Sequence, residues 1–398
     1  MLKYDTICFL FGTPILESYY QKYGMDYLEQ LGYSIMVFDL SPIVNHLAYE
    51  TVTTNLINYN KINIIICLTK EKFKEAIHKF NKKIFIVATF DFNMKNYFIY
   101  KEISNNKLHY CNLARMDTAI EITTQNNFNL RVKNYLKEIS LHKIFTSIFS
   151  HLPKKIFHLN TADFIIFGGK RNADLYFKIN LCDEHTRIEY IHSFDYEKFL
   201  KIKDANISIV REKYCVFIDQ YLPYHPDKSQ TGFNINADRY YKELRELFNI
   251  IENSLNLKVI ISVHPRSNYE SHPEAYMGYD LRKGYTAELI KNCEFTFTHF
   301  STAVSYAVLF EKPLFFITNE EIKSFPIMQK YIELYSKELG TSYIDISNTS
   351  SKKVVEFLNL IKVDKFSYDN YVDNYLKKDF KDTNKYDLFW KRFSELIE

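Results

Sequence analysis

Glycine is scarce in this chain, nine among 398 residues, and the Gly-rich spacing of a dinucleotide-binding or P-loop site is absent. The pair Gly168–Gly169 in "FGGKR" reads as a turn after a strand. Tryptophan occurs once, against 32 Tyr and 33 Phe. With abundant Ile, Lys and Asn, this points to an AT-rich coding bias, so a single exposed tyrosine carries little functional weight. The six cysteines (Cys8, Cys67, Cys111, Cys182, Cys215, Cys293) never form a C-x-x-C pair, which excludes a thiol zinc site and favours reduced, buried thiols. Charge of one sign is also lacking. The net charge of +3 gives no field strong enough to mark a nucleic-acid binder. No apolar run approaches the roughly twenty residues of a spanning helix. The opening "MLKYDTICFLF" places polar residues too close to its apolar run for a secretory signal. Fixed-period repeats, a D-x-D motif, a G-x-S-x-G elbow and an H-E-x-x-H helix are all missing.

What is present is alternation. The length predicts two domains, and the 46% hydrophobic content is ample for their cores. Short β-rich runs at 6–11, 33–40, 62–68 and 83–90 are separated by segments of helical spacing such as "KEKFKEAIHKF". The runs at 162–169 and 187–194 read as late strands of the same domain. After a connector at 195–213 the pattern restarts. Strands are predicted at 214–219, 258–263, 294–299, 313–318 and in "YIDI", with a long amphipathic helix over 237–255. Continuous apolar strands alternating with helices predict parallel sheets covered on both faces. The expected organisation is an N-terminal Rossmann-like domain (1–195), a C-terminal one (214–363) and a helical tail (364–398).

In such sheets ligands bind beyond the carboxyl ends of the strands. Three strand ends of the second domain carry chemistry. "YCVFI" is followed by Asp219 and Gln220, then by His225 and Asp227 in "YLPYHPD". "KVIISV" is followed by His264, Pro265 and Arg266. "EFTFT" is followed by His299, Phe300, Ser301 and Thr302, the last two expected to open a helix. Hydroxyls beside unpaired N–H groups suit an anion. His264 and Arg266 add donors to it, with Pro265 fixing the turn between them. Asp219 is a candidate general base, and Asp227 an alternative. Each item alone has a simpler use, as a cap or a turn former; their convergence is what points to an anion site.

"HPRSNY" followed by "FTHFSTAVSYAVLFEKPLFFIT" resembles the HP and Ser/Thr motifs of bacterial sialyltransferases, the lipooligosaccharide sialyltransferases and capsule polysialyltransferases above all. The likeness covers roughly residues 210–320. It implies an α/β GT-B fold: two Rossmann-like domains facing each other across a cleft, with C-terminal helices crossing back on the first. It implies a CMP-activated nonulosonic acid (sialic, pseudaminic or legionaminic acid, or Kdo) as donor, a surface glycan as acceptor, inverting transfer, and no metal or other cofactor. His264 would stabilise the leaving phosphate, Ser301, Thr302 and His299 would bind it with Pro265 and Arg266, and Gln220, His225, Asp227 or Glu320 would touch donor or acceptor. The family's paired-acid motif in the first domain is absent here, which moves the base role to Asp219 and suggests a divergent relative.

Three other readings share the architecture. One is a UDP- or GDP-sugar transferase or glycerophosphate-type polymerase, for which Glu320–Glu321 would grip ribose. The second is a UDP-sugar 2-epimerase-like enzyme, and the third a non-catalytic nucleotide- or carbohydrate-binding subunit. The expected location is cytoplasmic. The mixture of aromatics and lysines in "HKIFTSIFSHLPKKIF" (142–157) suits peripheral contact with the inner face of the inner membrane.

Overall fold

The computed structural model describes residues 3–52, 62–80, 83–113, 154–168, 181–226, 232–347, 349–377 and 389–398. The chain forms two compact units. Most of the stretch 142–157, read as suited to a membrane surface or to packing on its own domain, and Asp227 lie outside the described residues.

The first unit is built on a seven-stranded sheet: β1 (Thr6–Phe11), β2 (Ser34–Asp39), β3 (Asn63–Ile66), β4 (Ile84–Ala88), β5 (His109–Leu113), β6 (Phe164–Gly168) and β7 (Arg187–Ile191). All neighbours pair in parallel, in the order β3-β2-β1-β4-β5-β6-β7. β4 is buried along its whole length and β1 from Ile7 onward, as their apolar runs require of strands covered on both faces. The C-terminal helix Phe389–Ile397 belongs to this unit. It buries Trp390 against Phe9, and Phe393 against Phe85 and Phe164. Arg392 ties it to Glu189 of β7 at 3.3 Å.

The second unit holds a six-stranded parallel sheet: β8 (Tyr214–Ile218), β9 (Lys258–Val263), β10 (Asp280–Lys283), β11 (Thr296–Thr298), β12 (Leu314–Thr318) and β13 (Tyr343–Asp345). Its order, β10-β9-β8-β11-β12-β13, is the doubly wound Rossmann arrangement, with the topological switch between β8 and β11. The helix Ala237–Leu255 covers one face. Asn236 caps it by accepting from the Arg239 amide, and Tyr240, Leu244, Leu247, Phe248 and Ile251 form its buried stripe. It stops at Asn256, which takes the left-handed conformation at φ 53°. Each fully buried Phe or Leu of this core contributes about 1.5–3 kcal/mol.

The stretch "EEIKSFPIMQKYIELYSKELG" forms two helices, Glu320–Lys323 and Pro326–Glu338, because Pro326 cannot continue a preceding helix but opens a new one. The tail divides. Lys365–Tyr371 packs with the second unit, and only the last helix belongs to the first. The stretch read as a connector begins with a helix, Phe194–Ile202, capped by Ser193. Among the described residues no helix is long and apolar enough to cross a membrane.

Candidate functional site

The switch point sets where to look. Asp219 and Gln220 follow β8, His264–Arg266 follow β9, and His299–Thr302 follow β11. Since β9 and β11 flank β8, their ends stand two interstrand spacings apart, about 10 Å.

The β9 end gathers nitrogen-bearing side chains. The Arg266 guanidinium donates to His225 Nε2 at 3.2 Å, since arginine has no acceptor. The His225 and His264 rings meet edge-on with centroids 5.0 Å apart. The Arg266 amide donates to His264 Nδ1 at 3.1 Å. An Nδ1 that accepts leaves the proton of the neutral ring on Nε2, so His264 is set as an Nε2–H donor. Beside this loop the Lys283 ammonium, at the end of β10, donates to the Ser267 carbonyl at 2.8 Å. Partial desolvation pulls its pKa down.

Asp219 sits beneath the loop, only 2% exposed. Its Oδ1 accepts from the Tyr221 amide and the Tyr276 hydroxyl, both at 3.0 Å. Its Oδ2 accepts from the Tyr269 hydroxyl at 2.8 Å and more loosely from the His264 amide at 3.4 Å. Burial pushes its carboxyl above the usual range, while those hydrogen bonds pull the other way. Tyr221 holds a left-handed backbone at φ 55°, uncommon for a residue with a side chain. A base for an acceptor hydroxyl needs an exposed lone pair. Asp219 has both oxygens inside and each engaged twice, which departs from the base role expected for it.

His299 also departs from expectation. It is fully buried, with Nδ1 donating to the Ile317 carbonyl at 2.9 Å and Nε2 accepting from the Tyr240 hydroxyl at 3.0 Å. Burial lowers its pKa to about 4. Both nitrogens are spent in the core, so it offers nothing to a phosphate.

Ser301 and Thr302 are half-buried, but they do not begin the helix, which runs over Val304–Leu309. They form the turn before it. Ser301 Oγ accepts from the Ala303 amide at 3.2 Å, and the Thr302 carbonyl accepts from the Ser305 hydroxyl at 3.0 Å. Gln220 bridges the switch point by accepting from the Phe300 amide at 3.0 Å. That bond fixes its carboxamide and turns its NH2 donors away from Phe300. Pro265 is exposed at the tip of the β9 loop. Glu320 is exposed and paired with Lys323, which also reaches Asp345 at 2.6 Å. Glu321 accepts from the Asn236 amide at 2.9 Å, so the Glu320–Glu321 pair serves helix ends. Among the described residues no group of three or more His, Cys, Asp or Glu side chains is placed to hold a metal ion.

The structure thus brings His225, His264 and Arg266 together and joins Gln220 to the β11 turn. Reading the sequence passed over Tyr269 and Tyr276, whose hydroxyls grip Asp219. Nothing set them apart among 32 tyrosines.

No family model and no curated protein matches the sequence. Solved structures do. The wall teichoic acid polymerase TagF superposes with a TM-score of 0.51 at 12% identity, over 99% of this chain and 88% of that one. The MnaA–UDP co-structure from S. aureus superposes with a TM-score of 0.50 at 13% identity, over 94% of this chain and 92% of that one. The fold is α/β and GT-B-like, two units each built on a parallel sheet. At these identities the likeness is one of fold.

Proposed function

We propose that the chain is a glycosyltransferase-type enzyme whose second unit holds a nucleotide-activated donor by its phosphate, at the loop after β9. The observation that carries this reading is the meeting of His225, His264 and Arg266 at one strand end beside the topological switch. An Nε2–H donor and a guanidinium, held before any ligand arrives, are what a departing phosphate needs. The Ser301–Thr302 turn, two strands away, and Gln220, which is bonded to that turn, suit the sugar or ribose end of the same molecule better than the same phosphate.

For the donor we favour a CMP-activated nonulosonic acid, on the resemblance of "HPRSNY" and "HFSTAVSYAVLFEKP" to the sialyltransferase motifs. The acceptor would be a surface glycan. The acceptor oxygen forms the new bond to the anomeric carbon as the bond from that carbon to the CMP phosphate oxygen breaks. The leaving phosphate keeps the electron pair and takes hydrogen bonds from His264 and Arg266. The acceptor proton passes to a carboxylate, and with Asp219 buried, Asp227 is the acid of this stretch left for that role. A UDP-sugar is the second reading, favoured by the fold likeness to a protein solved with UDP.

Binding of CMP, UDP and GDP to wild type and to His264→Ala tests the proposal. CMP-selective binding that weakens at least tenfold in the variant supports it. UDP-selective binding with the same loss keeps the site and replaces the donor. Binding that His264→Ala leaves unchanged, or no nucleotide binding at all, overturns the site assignment.

A further inference from the structure

We infer that Asp219 is a positioning residue: it never touches donor or acceptor, and it holds the loop after β9 so that His264 and Arg266 face a phosphate. Its four donors come from three places along the chain. Tyr221 lies two residues on, His264 begins the loop, and Tyr269 and Tyr276 lie in the segment between that loop and β10. One buried carboxylate therefore ties the exit of β8 to the entry of the β9 loop and to the aromatic segment behind it.

The arrangement has a chemical logic. The β9 loop carries the donors that the proposed phosphate would meet, so it needs an anchor that does not take them up. A carboxylate beside those donors would itself pair with Arg266. Asp219 avoids this by lying below the loop and accepting from the His264 backbone rather than from its ring. Its charge is met by two hydroxyls and two backbone amides. Tyr269 reinforces the hold: its hydroxyl also lies 3.3 Å from that of Tyr241 on the helix Ala237–Leu255, and its ring packs edge-on against Tyr221 at 5.0 Å. The Tyr276 ring packs edge-on against Tyr241 at 4.9 Å. The loop is thereby anchored to the helix as well as to the sheet.

The phosphate part of this inference rests on the proposed function; the anchoring part does not. The test uses the full chain with Asp219→Asn, which keeps the shape and removes the charge, and Tyr269→Phe, a milder cut of one donor. Thermal melts first establish that each variant folds. Amide exchange over 264–276 is then compared with exchange over β12. CMP and cytidine affinities are measured side by side. The expected result is faster exchange confined to 264–276, with CMP affinity falling five-fold or more and cytidine affinity holding within two-fold. Tyr269→Phe should show a smaller change of the same pattern. A merely structural role would weaken CMP and cytidine together, and that result overturns the inference. So does unchanged exchange with lost turnover and full CMP affinity, the signature of a base. If wild type does not distinguish CMP from cytidine, the phosphate site falls, while the exchange comparison still decides whether Asp219 anchors the loop.

Discussion

Tyr240 donates its hydroxyl hydrogen to Nε2 of His299 across 3.0 Å in the core of the second unit. The bond needs a neutral imidazole. Histidine ordinarily takes a proton near pH 6.5, and burial holds His299 to about 4. Between those values the unfolded chain binds a proton that the folded chain refuses. Stability is therefore untouched by this residue above pH 6.5, falls as the pH drops towards 4, and loses nothing more from it below. The loss is roughly 3 kcal/mol over the window, at about 1.4 kcal/mol per pH unit. Urea melts of wild type and His299→Asn from pH 7 to 4 check this. The variant is expected to be less stable at pH 7 and to have a flatter profile.

Gly24 lies against the Trp390 ring so closely that a Cβ there would stand 2.2 Å from Cγ and Cδ1. Its φ of +54° already disfavours a side chain. The left-handed backbone costs a residue with a Cβ about 1–2 kcal/mol, and overpacking about 1–3 kcal/mol more. Gly24→Ala is expected to destabilise the first unit by at least about 2 kcal/mol. The fluorescence of the single tryptophan reports it directly. An unshifted urea midpoint would contradict the packing.

Asn236 holds the first turn of Ala237–Leu255 by accepting from the Arg239 amide at 3.1 Å. Asn236→Ala is expected to cost about 1 kcal/mol, the usual worth of an N-cap. Asn236→Ser should recover most of it. Paired chemical melts of the two variants give the comparison.

Arg266 donates from its guanidinium to His225, and in the proposed site its planar fork would meet the phosphate. A lysine keeps the charge and loses the fork. Arg266→Lys is expected to weaken nucleotide monophosphate binding about tenfold, worth about 1.4 kcal/mol, with the melting temperature nearly unchanged. Calorimetric titration at two salt concentrations checks both the loss and the expected steeper salt dependence of the variant. An Arg266→Lys protein that binds as wild type does would remove Arg266 from the site.

The apolar strands could be read from the sequence because burial on both faces leaves little choice of residue: "TICFLF" and "KVIISV" can do little else. β10 could not be read. Its sequence is "DLRK", and as an edge strand it is largely exposed and needs no apolar run. β5, "HYCNL", carries a polar residue at its start and another before its last position, and both find partners, His109 in Asp163 and Asn112 in the Tyr100 hydroxyl. In the site, the His-Pro-Arg loop stood out because a histidine, a proline and an arginine follow a continuous apolar strand at the end where ligands bind in such sheets. The roles of Asp219 and His299 did not. An acid or a histidine at a strand end looks the same in sequence whether it faces solvent or the core, and only the positions of Tyr269, Tyr276 and Tyr240 decide it.

The seating of Phe389–Ile397 in the first unit has a consequence for synthesis. The residues that complete that core emerge from the ribosome after every strand of the second unit. A nascent chain can therefore finish its second sheet while the first still lacks Trp390 and Phe393. The unit whose strands are made first is completed after the second, and until those residues emerge its strands present an open apolar face to whatever guards new chains from aggregation.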